Sequence, residues 1–189
     1  MSGHASISAE RVSRFSEDDL AALCEATIAA ILDGGGFGWL SPPAPSLLAR
    51  YFQGLLLVPE TGLFVVRENG MIQGAAVLSR PARNNEAQAM SAHLSGIHVA
   101  PYARGRGLGR ALARAVIRSA RAMGCRVLNC DVRETQIAAI ALCRSLGFEH
   151  WGTHPYYARS GGALVKGLYL VKLLDDEDET APSIKDDNT

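Results

Sequence analysis

The stretch "VAPYARGRGLGRAL", Val99 to Leu112, carries three glycines at alternate positions with arginines between them. A strand pattern, "SAHLSGIHV", comes before it, and a helical pattern of apolar residues follows it. Glycines at such a turn leave backbone N–H groups free and place no Cβ in the way of a ligand. The dipole of the following helix adds partial positive charge, and Arg104, Arg106 and Arg110 supply donors for phosphate oxygens. The stretch therefore predicts a phosphate-binding turn.

Three other glycine-rich motifs differ from this stretch in residues that their chemistry needs. The dinucleotide-binding fingerprint G-x-G-x-x-G would need a glycine where this chain has Arg110. A Walker loop would need a lysine followed by a hydroxyl residue, and "LGRA" has neither. An arginine-glycine tract that binds RNA would lie in repeated, disordered sequence, whereas this stretch is single and runs into a well-patterned helix. The spacing therefore favours the phosphate turn.

The composition predicts one soluble domain with an acidic tail. Of the 189 residues, 48% are hydrophobic and 20% are charged, which is enough apolar material for a full core. Seven acidic residues against one lysine give positions 175–189 a net charge of −6, which leaves +6 on the rest because the total is zero. We expect residues 1–14 to be a flexible N-terminus, 15–174 a single domain and 175–189 an acidic, disordered tail.

Neither the first residues nor the cysteines carry a recognisable targeting or metal signal. The segment "MSGHASISAE" lacks a charged region and an apolar region, and no run of eighteen uncharged apolar residues follows. We therefore expect a cytoplasmic protein that does not bind a membrane. The four cysteines show no C-x-x-C spacing, so we expect buried, reduced thiols rather than a metal site or disulfides.

The apolar periods along the chain predict a layered α/β fold with a mixed sheet. "SEDDLAALCEATIAAIL" starts with Ser16 as an N-cap residue and keeps a helical period, and "SLLARYFQGLLL" predicts a second, shorter helix. Two strand runs then meet at Asn69-Gly70, a strong hairpin signal. Gly124 and Gly147 end the next two helices. The predicted order is helix, helix, three strands, helix, strand, helix and two strands.

Two segments of the sequence resemble the GNAT superfamily of N-acetyltransferases. Arg104-x-x-Gly107-x-Gly109 matches the family signature at its strand-to-helix turn, and "QIAAIALCRSLGF", Gln136 to Phe148, is similar to a second family segment. The resemblance extends over roughly Phe15 to Leu174. It implies a mixed, mostly antiparallel sheet with a V-shaped splay between two central parallel strands, and helices on both faces.

The resemblance implies acetyl-CoA as the co-substrate and acyl donor, and no metal. The pyrophosphate would lie on the amides of the glycine turn, and the pantetheine chain would pair with the strand that ends at Val99. Gln136 stands where the family has asparagine, and its longer amide would still reach the pantetheine chain. The implied cofactor-binding residues are Ile97, His98, Val99, Arg104, Gly105, Arg106, Gly107, Leu108, Gly109, Arg110, Gln136 and Ala139.

Moving an acetyl group from sulfur to an amine needs a neutral amine, a polarised carbonyl and a proton for the leaving thiolate. The resemblance places the polarising backbone N–H near His98 or Val99. His93 is the candidate base, because a histidine titrates near neutrality and strand alternation puts it on the same face as Ser95, Ile97 and Val99. A structural histidine is the alternative reading, and the loop acid Glu86 is a rival base.

The acid that protonates the thiolate has several candidates. Cys143 stands where the family usually has tyrosine, and a thiol with a reference pKa of about 8.5 could donate that proton or could fill the core. Tyr156, Tyr157 and water are alternatives. We take His93, Cys143 and Tyr156 as the candidate catalytic residues. Trp39 lies where family members often wall the acceptor site, although a tryptophan is also a common core residue.

The leading hypothesis is an N-acetyltransferase that acts on a primary amine. A catalytically weak acetyl-CoA-binding module is the alternative, because the usual tyrosine is missing. Nucleic-acid binding through the arginine face of the third predicted helix is less favoured than an ordinary solvated surface; that face carries Arg110, Arg114, Arg118 and Arg121. The sequence leaves open whether the acceptor is a small molecule or a protein amine, and whether the chain forms a homodimer.

Overall fold

The computed structural model describes residues 5–35 and 38–174, and within them the chain forms one mixed sheet with helices on both faces. The strands are β1 (Ile7–Val12), β2 (Thr61–Glu68), β3 (Met71–Ser79), β4 (Ser91–Val99), β5 (Val127–Arg133), β6 (Glu149–Ser160) and β7 (Ala163–Leu173). The helices are α1 (Glu17–Leu32), α2 (Pro45–Leu55), α3 (Leu108–Ala122) and α4 (Ile137–Ser145). The predicted acidic tail, 175–189, lies outside the described residues.

The sheet has the order β1-β2-β3-β4-β5-β7-β6, and β4 and β5 are its parallel pair. Their pairing extends only from Ser91 opposite Val127 to Leu94 opposite Cys130. Beyond that point the two strands part, while their outer neighbours stay paired in antiparallel fashion. The predicted fold class, with its V-shaped splay between two central parallel strands, is confirmed.

The prediction of a flexible N-terminus is wrong for residues 7–12, which form β1. This strand pairs with β2 along its whole length, from Ile7 opposite Glu68 to Val12 opposite Leu63. Its side chains are mostly exposed, so the segment shows no apolar alternation that would have revealed a strand. Backbone pairing with an already buried neighbour holds it, together with an ion pair of 2.9 Å between Arg67 and Glu10.

The helices divide the core between the two faces. On one face α3 and α4 cover a large apolar cluster, and on the other α1 and α2 pack against β2, β3 and part of β4. Ser16 caps α1 as predicted, since its hydroxyl accepts from the Asp19 N–H at 3.1 Å. Gly124 and Gly147 have positive φ at the ends of α3 and α4, also as predicted. No helix within the described ranges is long and apolar enough to cross a membrane.

A β-bulge in β4 changes which side chains share a face. Ser95 lies opposite Val77 and His98 opposite Ala75, so Gly96 and Ile97 together oppose one residue of β3. Gly96 has φ of 59°, a value that favours glycine. His93 and Ser95 therefore share a face with His98, and the predicted alignment with Ile97 and Val99 is wrong because strict alternation fails at the bulge.

Candidate active site

Three cavities of the described chain follow one another along β4 and β5. The turn cavity, of about 580 Å³, lies at the glycine turn, and the splay cavity, of about 530 Å³, lies where the two strands part. The outer cavity, of about 490 Å³, lies beside the paired ends of the same strands. The splay cavity is lined in part by Ser95, Asp131, Tyr157 and Arg159, and the outer cavity by His93, Asn129, Trp151 and Tyr169. Ile97, Gln136 and Ala139 line both the turn and the splay cavity, so these two adjoin.

The glycine turn leaves open space beside its backbone, which a ligand could approach closely. Gly105 and Gly107 have φ of 78° and 88°, and a Cβ added at either position would meet open space. Gly107 is also the N-cap residue of α3. At Gly109, by contrast, a Cβ would come within 3.3 Å of the Leu142 side chain, so this glycine serves the packing of α3 against α4. Of the twelve residues implied by the resemblance, all but Arg106 line the turn cavity.

The three arginines of the turn are engaged by other protein groups. Arg104 pairs with Asp33 at 2.5 Å, and Arg106 pairs with Glu68 at 3.0 Å. Arg110 donates to the hydroxyl of Ser145 at 2.9 Å. These guanidinium groups brace the turn against α1, β2 and α4, and the space that the glycines leave open lies along its backbone.

The C-terminal end of α1 is tied across the splay. The carbonyl of Gly34 accepts hydrogen bonds from Gln136 Nε2 at 2.7 Å and from Arg133 at 3.2 Å. With the pair formed by Asp33 and Arg104, these bonds join the end of α1 to β5, to the start of α4 and to the glycine turn that follows β4. The amide of Gln136, expected to contact pantetheine, is thus bonded to the protein backbone.

Asp131 brings together two side chains at the junction of the splay and outer cavities. Its Oδ1 lies 2.8 Å from His93 Nε2, and its Oδ2 accepts a hydrogen bond from the Tyr157 hydroxyl. The hydrogen bond from His93, with that from Tyr157, holds the pKa of Asp131 below its usual value despite partial burial. Burial and the bond to Asp131 raise the pKa of Tyr157 well above its usual range. Asp131 is therefore a carboxylate, and Tyr157 keeps its proton.

An irregular stretch of β6 places the Tyr157 side chain beside Asp131. His154 lies opposite Gly167 and Ala158 opposite Val165, so the three residues between them face a single residue of β7. The ring of Tyr157 folds over Gly167, where a Cβ would overlap the ring atoms. Tyr156, the candidate chosen from the sequence, is 71% exposed and lines none of the three cavities, so the structure brings Tyr157 and not Tyr156 to them. The bulge reverses which of the two neighbours faces inward.

Cys143 lies in the core and lines none of the three cavities. Its side chain is 3% exposed and belongs to the apolar cluster under α3 and α4, beside Cys130. The hydrogen bond to the Cys143 sulfur, with burial, raises the pKa of Cys130 well above its usual range. Cys143 therefore fills the core, the alternative reading at the sequence level. All four cysteines are buried and free, as predicted.

His98 fixes the bulge of β4 from inside the protein. Its Nδ1 lies 2.8 Å from the carbonyl of Gly96, and its Nε2 lies 3.0 Å from the hydroxyl of Thr27 on α1. Burial lowers the pKa of His98 to about 4, so the ring is neutral at ordinary pH. Gly74 lies against the His98 carbonyl with no room for a Cβ. The side chain of His98 is thus structural, and only its backbone is left to face the turn cavity.

Sequence reasoning missed Asp131 and Gly167. Asp131 lies two residues after Asn129 on β5, and this polar alternation next to the predicted splay was a signal for a site residue. Gly167 gave no local signal, because its role depends on the pairing of β6 with β7. His93, by contrast, lies at the candidate site as expected.

Comparison with known proteins identifies the family to which this fold belongs. A model of the acetyltransferase (GNAT) family matches residues 28–148. Over 130 residues the chain is 53% identical to an uncharacterised N-acetyltransferase from the hisH-hisA intergenic region of Azospirillum brasilense, covering 69% of this chain and 77% of that protein.

Solved structures of acetyltransferases have the same fold. A phosphinothricin acetyltransferase of the GNAT superfamily from Sinorhizobium meliloti, in complex with acetyl-CoA, has a TM-score of 0.73 and 25% identity, covering 95% of this chain and 94% of its own. An N-acetyltransferase from Staphylococcus aureus Mu50 shows the same fold, with a TM-score of 0.76 and 22% identity over 90% of this chain and 99% of its own.

The splayed strand pair, the glycine turn and the family match define an acetyltransferase, an enzyme whose co-substrate is acetyl-CoA. The chain belongs to the GNAT family.

Proposed function

We propose that this protein transfers the acetyl group of acetyl-CoA to a primary amine by direct attack on the thioester. The amine nitrogen forms a bond to the carbonyl carbon, and the carbon–sulfur bond breaks. The amine nitrogen loses a proton, and the CoA sulfur gains one. The observation that carries this proposal is the continuity of the cavities, which run from the glycine turn to the His93–Asp131 pair.

The donor half of the site is assigned to the turn cavity. Bound acetyl-CoA supplies the activated acetyl group. The backbone amides from Gly105 to Arg110 would hold its pyrophosphate at the N-terminus of α3, a placement supported by the open space at Gly105 and Gly107. The pantetheine chain would pass between Ile97 and Ala139, the residues shared by the turn and splay cavities.

His93 is assigned as the general base. Its Nε2 faces the carboxylate of Asp131, so the imidazole N–H on that side donates to Asp131 and Nδ1 carries the lone pair. Nδ1 then takes the proton from the amine, and Asp131 stabilises the charged ring. Tyr157 keeps Asp131 oriented from its other oxygen. Cys143 is buried in the core, Tyr156 lies outside the cavities, and the Tyr157 hydroxyl donates to Asp131 and has a raised pKa. We therefore assign protonation of the CoA sulfur to water.

An acceptor screen tests the proposal. Purified protein is mixed with acetyl-CoA and a panel of primary amines, free thiol is titrated, and the products are identified by mass spectrometry. We expect thiol release that depends on the amine and matches amide formation one to one. A binding module would be stabilised thermally by acetyl-CoA yet release no CoA above background, and that result would contradict the proposal.

A further inference from the structure

The outer cavity is the third chamber on a line that starts at the glycine turn. Along β4, positions 97–99 line the turn cavity, 94–97 the splay cavity and 91–93 the outer cavity. Strand β5 follows the same order, with 131–133 at the splay cavity and 129–130 at the outer cavity. The pair of His93 and Asp131 stands between the last two chambers. An acceptor whose amine reaches His93 from the side away from the turn therefore has its body in the outer cavity.

One wall of the outer cavity is aromatic. The rings of Trp151 and Tyr169 lie 5.5 Å apart between centroids at 44°, and Tyr157 meets Tyr169 edge-on at 6.2 Å. Tyr169 pairs directly with Asp131 in the sheet, so this row of rings begins beside the catalytic carboxylate. Trp151 is 63% exposed, which leaves indole surface for stacking with a flat ligand.

The charges around the two acceptor-side chambers disfavour a second cationic group. Arg80 lines the outer cavity, and Arg133 and Arg159 line the splay cavity. The carboxylate that faces them is Asp131, whose two oxygens are already bonded to His93 and Tyr157. The remaining polar lining of the outer cavity is neutral, from Asn85, Gln88 and Asn129 among others. An acceptor with several ammonium groups would meet repulsion from these guanidinium groups, and the described residues that line the two cavities include no further carboxylate to offset it.

We infer that the outer cavity binds the body of the acceptor, and that the acceptor is a single primary amine carrying a planar aromatic ring rather than a polyamine. The ring stacks on Trp151 while the amine reaches His93. This inference rests on the proposed function and narrows its acceptor to one chemical class.

Three amines of graded structure test the inference. We expect kcat/KM for 2-phenylethylamine to exceed that for n-butylamine by about tenfold or more, and putrescine, which adds a second amine to the butyl chain, to be the poorest. In Trp151→Ala the preference for the ring should disappear through a higher KM for 2-phenylethylamine. Tyr156→Ala is the matched control, because this exposed ring on the same strand lines none of the cavities.

The outcomes separate this inference from the proposed function. Equal turnover of the three amines, or a ring preference that survives Trp151→Ala, would contradict the inference and leave acetyl transfer standing. If none of the three amines releases thiol, the proposed function fails. The inference is then tested by the binding of 2-phenylethylamine instead of by turnover. The chain has two tryptophans, Trp39 and Trp151. In the Trp39→Phe variant the tryptophan fluorescence therefore comes from Trp151 alone. A change in that emission when 2-phenylethylamine is added to the CoA-saturated protein supports the inference, and no change overturns it.

Discussion

At the residue scale, Asp131 organises the candidate site because each of its carboxylate oxygens holds a different side chain. His93 is bonded to Oδ1 and Tyr157 to Oδ2, and both partners come from other strands. A carboxylate held in this way fixes the ring plane of the histidine. The orientation of the proposed base thus depends on three strands meeting at one carboxylate.

Replacing His93 by glutamine should lower kcat by about a hundredfold or more, because the side chain can no longer take the amine proton. Any fall of kcat/KM at low pH beyond that caused by protonation of the amine itself should disappear with it. Steady-state thiol release across pH measures both effects, and calorimetry should show unchanged acetyl-CoA affinity. A profile with an unaltered acid limb would remove His93 from the role of base.

Burial of His98 links stability to pH. Its pKa is lowered from 6.5 to about 4, so as the pH falls the unfolded chain takes up the proton first. The contribution of His98 is full above pH 6.5 and is lost progressively as the pH falls toward 4, and it amounts to roughly 3 kcal/mol. Urea unfolding at pH 7.5 and pH 4.5 should show this loss in the wild type and a smaller loss in His98→Gln. Equal losses would contradict the assignment.

At the scale of elements, two irregular strands position the chemistry. The bulge of β4 at Gly96 and Ile97 places His98 on the face of His93, and the bulge of β6 turns Tyr157 inward over Gly167. The sequence predicted both strands and the glycine turn, because their periodicity and spacing are local. It did not predict the facing of His98 or the choice between Tyr156 and Tyr157, since strand alternation fails at a bulge. Strand β1 was missed because it is held by pairing with a neighbouring strand. Asp131 was missed although its alternation with Asn129 was a local signal, and its two partners come from other strands.

Gly167→Ala should disturb the site through Tyr157. The added Cβ would overlap the tyrosine ring and move its hydroxyl away from Asp131, so kcat should fall. Tyr157→Phe removes the same hydroxyl and should lower kcat by a similar factor. In the double variant that combines Gly167→Ala with Tyr157→Phe, kcat should fall no further than in either single variant, because both changes remove the same hydrogen bond. Gly152→Ala on the same hairpin is the control, since its Cβ would make an ordinary 4.0 Å contact with Tyr169. Additive losses in the double variant would contradict this link.

Helix α3 has a matched pair of glycines, one at each end. Gly107 and Gly124 have φ of 88° and 77°, and both would place a Cβ in open space, but Gly107 alone of the two lines the turn cavity. Alanine at either position should cost about 1 kcal/mol of stability through backbone strain. Acetyl-CoA affinity, measured by calorimetry, should fall about tenfold or more in Gly107→Ala and stay unchanged in Gly124→Ala. Equal affinities would show that the pyrophosphate does not approach Gly107.

At the scale of the whole molecule, the parting of two central strands aligns the cavities to which we assign the donor and the acceptor. Pairing of β4 with β5 stops after Leu94 and Cys130, and the gap that opens joins the turn cavity to the splay cavity. The bonds from Asp33 and Gly34 tie α1 across this gap and hold its two sides together. The order of elements predicted a layered fold with a mixed sheet, and the resemblance to the GNAT superfamily implied the splay. The outer cavity could not be predicted, because it forms only where β6 and β7 pack beside β5.

The most direct test of the central claim is the fate of a labelled acetyl group. Acetyl-CoA deuterated in its methyl group is incubated with the protein and 2-phenylethylamine or n-butylamine, and the products are analysed by mass spectrometry against His93→Gln. The account predicts a deuterated amide on the amine nitrogen in one-to-one ratio with released CoA, and far less of it from the variant. CoA release that does not depend on the amine, or label that ends on the protein itself, would contradict direct transfer to an amine.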